Sequence, residues 1–326
     1  MVVIRYGIAG QPVKNSLSPL LTALVAAHLG LPYSDKHLKM ELVEVRALTD
    51  ALAWGYAGAV PSPVPWTYTG APFGKFRTSA LLQKAVVAAM EIDAAHPDLL
   101  GSTTDPLPPS REVHSGLPTR LFDEEIWLNL TSPLKHQLDS GAVVAVDDSM
   151  ANKCVNALRW DGRGWWCAGL DGTGVVDVLH HHGLTPSEHV LGLVGGGGAA
   201  RSTAAAWASL GGQVHQLKSR RMFEDGPWME AITDRSPDVV VDFDNEEPVS
   251  EGVRLLRSSY RPMDGTVEER AKAITENALD GRWLLVAQHL ACWRVLWAPE
   301  RAHELPSLGL LLTRLLEAEC LLASYA

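Results

Sequence analysis

Hydrophobic and polar positions alternate along this chain in blocks that change period. The opening run VVIRYGIAG reads as a strand entering a glycine turn. Apolar positions then recur at helical spacing through SLSPLLTALVAAHLG, with Ser18 as expected N-cap, Pro19 in the first turn and an end near Gly30. KHLKMELVEV has strand character, RALTDALAWG and SALLQKAVVAAMEI look helical, and EEIWLNL is a strand running into NLTSPLKH. The proline of NLTSPLKH bars a regular strand or helix interior, so this stretch is a loop. AVVAV is a further apolar run. CVNALRW and WWCAG flank DGRG as a hairpin, and DGTGVVDVLHHHG leaves it as a helix. From VLGLV the rhythm becomes strand and helix in turn: AARSTAAAWASLG, QVHQLK, PWMEAITD, DVVVD and VRLLRSS. That alternation predicts an α/β chain with a parallel sheet covered by helices. VEERAKAITE, RWLLVAQHLACWRVLWA and the leucine-rich C-terminus complete the helices, and no internal repeat is visible.

Residues 60 to about 125 break the rhythm. They hold the proline-rich VPSPVPW and TDPLPPS and the long polar stretch GSTTDPLPPSREVHSG. So long a loop is unusual in a compact domain, which makes the segment an insertion with some structure of its own.

Composition narrows the function classes. The 326 residues suit two domains. A net charge of −10 disfavours a general nucleic-acid or anionic-membrane role. Cys154, Cys167, Cys292 and Cys320 show neither paired nor zinc-type spacing, which fits a reduced, cytoplasmic setting. MVVIRYGIAG lacks the apolar core of a signal peptide, and Arg314, Glu317 and Glu319 mark the leucine-rich tract as a buried or interface helix rather than a membrane span. That tract also suggests a homodimer. The His180–His182 run reads as exposed residues at a helix end rather than a metal site.

Chemistry concentrates in two places. VLGLV-GGGGAARSTAAAWASLG is a strand, a glycine turn and a helix start. Gly195, Gly197 and Ala200 give the G-x-G-x-x-G/A spacing, with Gly196, Gly198 and Ala199 between them. Small residues let backbone approach a pyrophosphate at a helix N-terminus. The following strand ends in LKSRR rather than in an acid. Lys218, Arg220 and Arg221 suit a ribose 2′-phosphate, so NADP is favoured over NAD. The second place is NLTSPLKH itself, which gathers an amide, a hydroxyl, the Lys135 amine and an imidazole in eight residues.

GIAGQPVKNSLSP, NLTSPLKH, KCVNAL, GLDGTG, GGGGAA and LVAQ occur in this order, and together they resemble the shikimate dehydrogenases. The resemblance implies a substrate domain at 1–175 plus 282–326 with C-terminal helices returning to it, and a Rossmann-like NADP-binding domain at 176–281. It implies hydride transfer between NADP(H) and a ring carbon of shikimate or a related cyclohexene carboxylate. It places Ser16 and Ser18 on the substrate carboxylate and Thr131, Asn156 and Gln288 on its hydroxyls. Tyr260 falls near substrate and nicotinamide. Lys135 becomes the acid–base group, held by Asp171 at a helix head. The implied partner is a small carboxylate, with no metal.

The sequence departs from that pattern in several places. GYAGAVPSPVPW stands where the lysine loop would normally fall but lacks its Asn and Lys, so the downstream copy is taken as the functional one. Gly169-Leu170 replaces a polar flank before Asp171. DVVVD runs into FDNEE, where Asp242, Asp244, Glu246 and Glu247 would oppose a phosphate-bearing ligand unless turned away. Trp283 stands where a glycine near the nicotinamide is expected, and Trp127, Trp165 and Trp166 also fall near site positions, which suggests an altered pocket. These departures leave open a member that has lost hydride transfer and catalyses a non-redox step on a carboxylate, or a ligand-binding regulatory protein.

Overall fold

The computed structural model describes residues 3–31, 37–57, 79–91, 99–101, 114–222, 224–245 and 252–324. VPSPVPW, TDPLPPS, most of GYAGAVPSPVPW, and Glu246 and Glu247 lie outside the described residues.

Two sheets organise the chain. The first has the order β2-β1-β3-β5-β6-β4, from β1 (Val3–Gly10), β2 (Leu38–Glu44), β3 (Glu124–Leu130), β4 (Val143–Ala145), β5 (Ala157–Trp160) and β6 (Trp165–Ala168). β1 lies between β2 and β3, parallel to both. β5 and β6 form the expected antiparallel hairpin around Asp161 and Gly162, whose φ of 85° suits glycine. The second sheet is wholly parallel, in the order β10-β9-β7-β8, from β7 (Val190–Val194), β8 (Gln213–Gln216), β9 (Val239–Asp242) and β10 (Arg254–Arg257). All five residues of β7 are buried, as an unbroken VLGLV run demands of an inner parallel strand.

Helices α1 (Ser18–His28), α2 (Leu48–Ala57) and α3 (Ser79–Met90) belong to the first half of the chain. α4 (Asp171–His181), α5 (Gly198–Ser209), α6 (Val267–Ala273), α7 (Gly281–Cys292) and α8 (Leu308–Ala323) follow. Ser18 is the first helical residue of α1 and not its N-cap; Leu17 occupies the cap without a side-chain bond. PWMEAITD makes only a 3-10 turn at Met229–Ala231, because Ile232 turns extended and bridges to Val214 beside β8. The helix expected over RWLLVAQHLACWRVLWA ends as an α-helix at Cys292 and continues as a π-helical turn, Trp293–Trp297.

The break between 60 and 125 falls between α2 and β3. Its helix, α3, is a core element: Leu81, Leu82, Ala85, Val86 and Ala89 are buried, and it packs on α8 and α1. The leucines of α8 are correspondingly turned inward and none is exposed, so the apolar stripe that suggested a homodimer is covered by this chain itself.

Two buried ion pairs tie elements together. Arg159 and Glu125, both wholly buried, meet at 2.8 Å, and Arg159 also donates to the carbonyls of Pro118, Arg120 and Leu296. Arg282 on α7 grips Glu319 on α8 at 2.7 and 2.9 Å. Trp127 stacks on Trp297 at 5.5 Å and meets Trp293 edge-on at 4.8 Å, which fixes the π-helical turn against β3. Among the described residues no helix is long and apolar enough to cross a membrane.

His289 is fully buried beside Tyr6 and Trp297, and neither ring nitrogen has a hydrogen-bond partner. Burial pushes its pKa from 6.5 down to about 3. The unfolded chain therefore takes up a proton that the folded chain refuses. This group's contribution is full above about pH 6.5, declines as pH falls, and levels off below about 3. His289→Phe is expected to flatten acid destabilisation in that window and to add about 1 kcal/mol at neutral pH by removing an unsatisfied polar ring. Urea unfolding of both proteins across pH checks this, and equal pH slopes would refute it.

Candidate active site

The carboxyl ends of β1 and β3, the head of α4 and the glycine turn after β7 surround one cleft of about 660 Å³. β3 delivers NLTSPLKH. Thr131 follows its last residue, and Lys135 rides a 3-10 turn, Leu134–His136, anchored by the fully buried Leu134. β3 lies directly beside β1, so NLTSPLKH leaves the first sheet from a strand next to β1.

Lys135 Nζ donates to Asp171 Oδ2 at 2.7 Å. Asp171 is 2% exposed, and its Oδ1 accepts from Asn156 Nδ2 at 3.1 Å. Asn156 Oδ1 in turn accepts the Leu170 N–H at 2.7 Å. Asn156 is wholly buried and does not line the cleft, so the geometry puts it behind the aspartate as its holder. The glycines of DGTG have a packing reason. A Cβ at Gly172 would collide with the Ser202 carbonyl oxygen on α5, and one at Gly174 would stand 2.8 Å from Gln288 N on α7. Both helices therefore close directly onto the head of α4.

One end of the cleft is the start of α1, where Ser16 and Ser18 line the wall. The Ser18 N–H donates to Ser16 Oγ at 3.2 Å and the Leu17 N–H to Tyr260 OH at 3.2 Å. Ser16 Oγ thus accepts the Ser18 N–H, and the Ser18 hydroxyl, 2% exposed, lies beside the Tyr6 phenol. Burial raises the Tyr260 pKa, so its phenol stays protonated. Gln288 and Thr131 also line the cleft.

The other end is the glycine turn. Gly195, Gly197, Gly198, Ala199 and Ala200 line the cleft. Gly197 caps α5 without a side-chain bond, and nothing lies within 4 Å of where its Cβ would be. Gly196 faces the other way, against the carbonyls of Arg221 and Met222, and does not line the cleft. A Cβ at Gly198 would approach Lys135 Cβ to 3.1 Å, so this glycine brings the helix start up to the lysine. Of the three cations, only Arg221 lines the cleft. Arg220 is exposed and pairs with Asp244 at 3.4 Å, and Lys218 is exposed outside the lining.

The acidic loop divides in the same way. Asp242 is fully buried, accepts the N–H groups of Asp244 and Asn245, and lies 3.6 Å from Arg257. Asp244 does line the cleft. Sequence reasoning missed Gly281 on the cleft wall and gave Asn129, the amide of NLTSPLKH, no role there. Asn129 is 1% exposed and its Oδ1 accepts from Tyr6 OH at 2.6 Å; a polar residue ending a buried strand was the available signal.

No family model matches the chain. Among curated proteins, a shikimate dehydrogenase (NADP(+)) of Aeropyrum pernix is 29% identical over 204 residues, 53% of this chain and 74% of that protein. The shikimate dehydrogenase (NADP(+)) of Halobacterium salinarum strain R1 is 27% identical over 203 residues, 54% of this chain and 75% of its own. Among solved structures, shikimate 5-dehydrogenase from Thermus thermophilus, in complex with NADP(H) and shikimate, superimposes with a TM-score of 0.54 at 18% identity. That match covers 98% of this chain and 100% of the other. In sequence the chain is thus similar to shikimate dehydrogenases over about half of its length.

Within this kinship, two expected departures dissolve. Trp283 is buried away from the cleft: its Nε1 donates to Ile274 O at 3.2 Å, and its ring packs on His181 and His182. The cleft face of α7 is instead Gly281, Leu284, Leu285 and Gln288, so a glycine does face the cleft, two residues earlier. Trp127, Trp165 and Trp166 do not line the cleft either. The histidines at the end of α4 are packed rather than exposed. His181 Nε2 lies 3.0 Å from Leu100 O, and burial pushes the His182 pKa down to about 4. Among the described residues no cluster could hold a metal ion.

Proposed function

We propose that this chain is an NADP-dependent oxidoreductase that moves hydride between NADP(H) and a ring carbon of shikimate or a related cyclohexene carboxylate. The observation that carries the reading is the 2.7 Å contact of Lys135 with the buried Asp171, in a cleft that the serines before and at the start of α1 and the open glycine turn also line. Its relatives are named as NADP(+) shikimate dehydrogenases.

Ser16 and Ser18 hold the substrate carboxylate with their hydroxyls, and Thr131 and Gln288 meet ring hydroxyls. Lys135 Nζ takes the hydroxyl proton in oxidation and returns it in reduction. Asp171 orients Nζ through Oδ2, and Asn156 fixes Asp171 through Oδ1. The free first turn of α5 and the bare Gly197 fit a pyrophosphate, and Arg221 stands ready for a 2′-phosphate. Bound NADP would accept or supply the hydride. We assign the substrate domain to 1–175 plus 282–326 and the NADP domain to 176–281. These boundaries fall inside α4 and at the start of α7, the helices that carry Asp171 and Gln288.

Arg221→Ala is expected to cut the preference for NADP over NAD about tenfold, the worth of one charge-assisted contact. Calorimetric titration with both nucleotides measures it, and an unchanged ratio would remove Arg221 from the phosphate site. Asp244 on the cleft wall and Leu170 in place of a polar flank favour a second reading, a non-redox step on a carboxylate in the same pocket. Binding of shikimate without any binding of NADP would select it.

A further inference from the structure

Lys135 stands on a three-residue 3-10 turn, an element with poor hydrogen-bond geometry of its own. Leu134 anchors one side of the turn in the core. The other anchor is Gln137, the residue that ends it. The Gln137 N–H donates to Leu134 O at 2.9 Å. Its side-chain amide engages its oxygen and both of its N–H groups. Oε1 accepts the Leu48 N–H at 2.9 Å, and Nε2 donates to Arg46 O at 2.9 Å and to Pro133 O at 3.1 Å. Exchanging the two ends of the amide would set its oxygen against two carbonyls, which fixes its orientation. The bond to Pro133 runs back across the turn from exit to entry. The other two fasten the turn to the loop between β2 and α2. Leu48 opens α2, so its N–H has no acceptor within the helix, and the Gln137 oxygen supplies one. The tie continues from there: Arg46 Nε donates to Gln11 Oε1, and the Gln11 N–H donates to Ser132 O at 2.8 Å. The loops that leave the neighbouring parallel strands β1, β2 and β3 are thus joined to one another. Gln11, Arg46 and Gln137 all lie outside the cleft lining.

We propose that Gln137 is a positioning residue for Lys135, holding the turn where Nζ meets Asp171 and the reacting hydroxyl while touching neither substrate nor cofactor. A proton-transfer group displaced by about 1 Å can lose about a hundredfold in rate. The hold on Lys135 is independent of the oxidoreductase reading; the effect on turnover rests on that reading.

Two readouts test the two parts. Trace acetic anhydride labels the lysines of the native protein, and peptide mass spectrometry reads Lys135 against the exposed Lys272 as internal standard. Gln137→Ala should raise the Lys135-to-Lys272 ratio about tenfold, because an amine released from Asp171 loses one charge-assisted bond and gives up its proton more readily. Gln137→Glu keeps the shape and an oxygen for Leu48 but has no donor for the two carbonyls, and should match Gln137→Ala. With shikimate and NADP, both variants should lower kcat at least about tenfold and leave KM nearly unchanged. The half-exposed Gln137 side chain leaves the core intact, so both variants should fold. A residue with a merely structural role would lower the melting temperature and leave the labelling ratio and kcat of the folded protein as they are. An unchanged ratio in both variants would overturn the hold on Lys135. A raised ratio with unchanged kcat would overturn the positioning role. Parent protein that does not reduce NADP would sink the oxidoreductase reading, and the labelling ratio would still decide whether Gln137 holds Lys135.

Discussion

Lys135→Ala is expected to lower kcat for shikimate oxidation by about a thousandfold, within the range for removing a positioned general acid–base group. The fold should survive. The Lys135 side chain is partly exposed, and Leu134, not Lys135, anchors the turn. KM should change little, because the proposal gives the carboxylate to Ser16 and Ser18 and not to Lys135. Asn156→Ala, which frees Asp171 without touching the cleft wall, should lower kcat less and also leave KM nearly unchanged. Steady-state kinetics on the two variants, with circular dichroism as the fold control, measures both effects. Full activity in Lys135→Ala would show that proton transfer runs elsewhere.

The largest stability effect is expected at Glu125. Its two oxygens accept from Arg159 Nε and Nη2 and Trp127 Nε1 in a wholly buried setting, and from the part-buried Phe122 N–H. Glu125→Ala leaves the Arg159 charge unpaired in the interior and should cost about 3–5 kcal/mol. Most of that cost comes from the orphaned charge. The Glu125→Leu/Arg159→Met pair should therefore recover a large part of it, though not all, because Arg159 also binds three carbonyls. Denaturant midpoints of the three proteins decide the matter. A double variant no better than Glu125→Ala would mean that the carbonyl contacts, not the ion pair, carry the stability.

Much of the site is legible in the sequence because its signals are local. A proline closing a strand end, an Asp-Gly hairpin turn and small residues between a strand and a helix each dictate backbone within a few residues. They correctly place NLTSPLKH, the β5–β6 hairpin and the turn at Gly195–Ala200. What fails depends on which way a side chain faces. Trp283 is two residues from Gly281 and so about 200° around the helix, on the opposite face. The spacing of Gly281, Leu284, Leu285 and Gln288 is i, i+3, i+4, i+7, so periodicity alone contains the correct answer. The three cations of LKSRR are equivalent in sequence. Only the fold of their loop over Gly196 separates Arg221 from its neighbours. The resemblance gives Asn156 as a substrate contact, and the fold adds its bonds to Asp171 and to the Leu170 N–H. The π-helical turn has no sequence signature; in the fold Trp293 and Trp297 pack against Trp127 from it. The packing of the α8 leucines on α3 is not legible in sequence, because α3 lies within the segment that looks like an insertion.

The central claim is that one cleft brings a carboxylate substrate, Lys135 and NADP together for hydride transfer. The most direct measurement mixes the purified protein with shikimate and NADP and follows nicotinamide absorbance. The account predicts reduction of NADP that depends on both shikimate and enzyme. No reduction by folded protein that binds both ligands would contradict it.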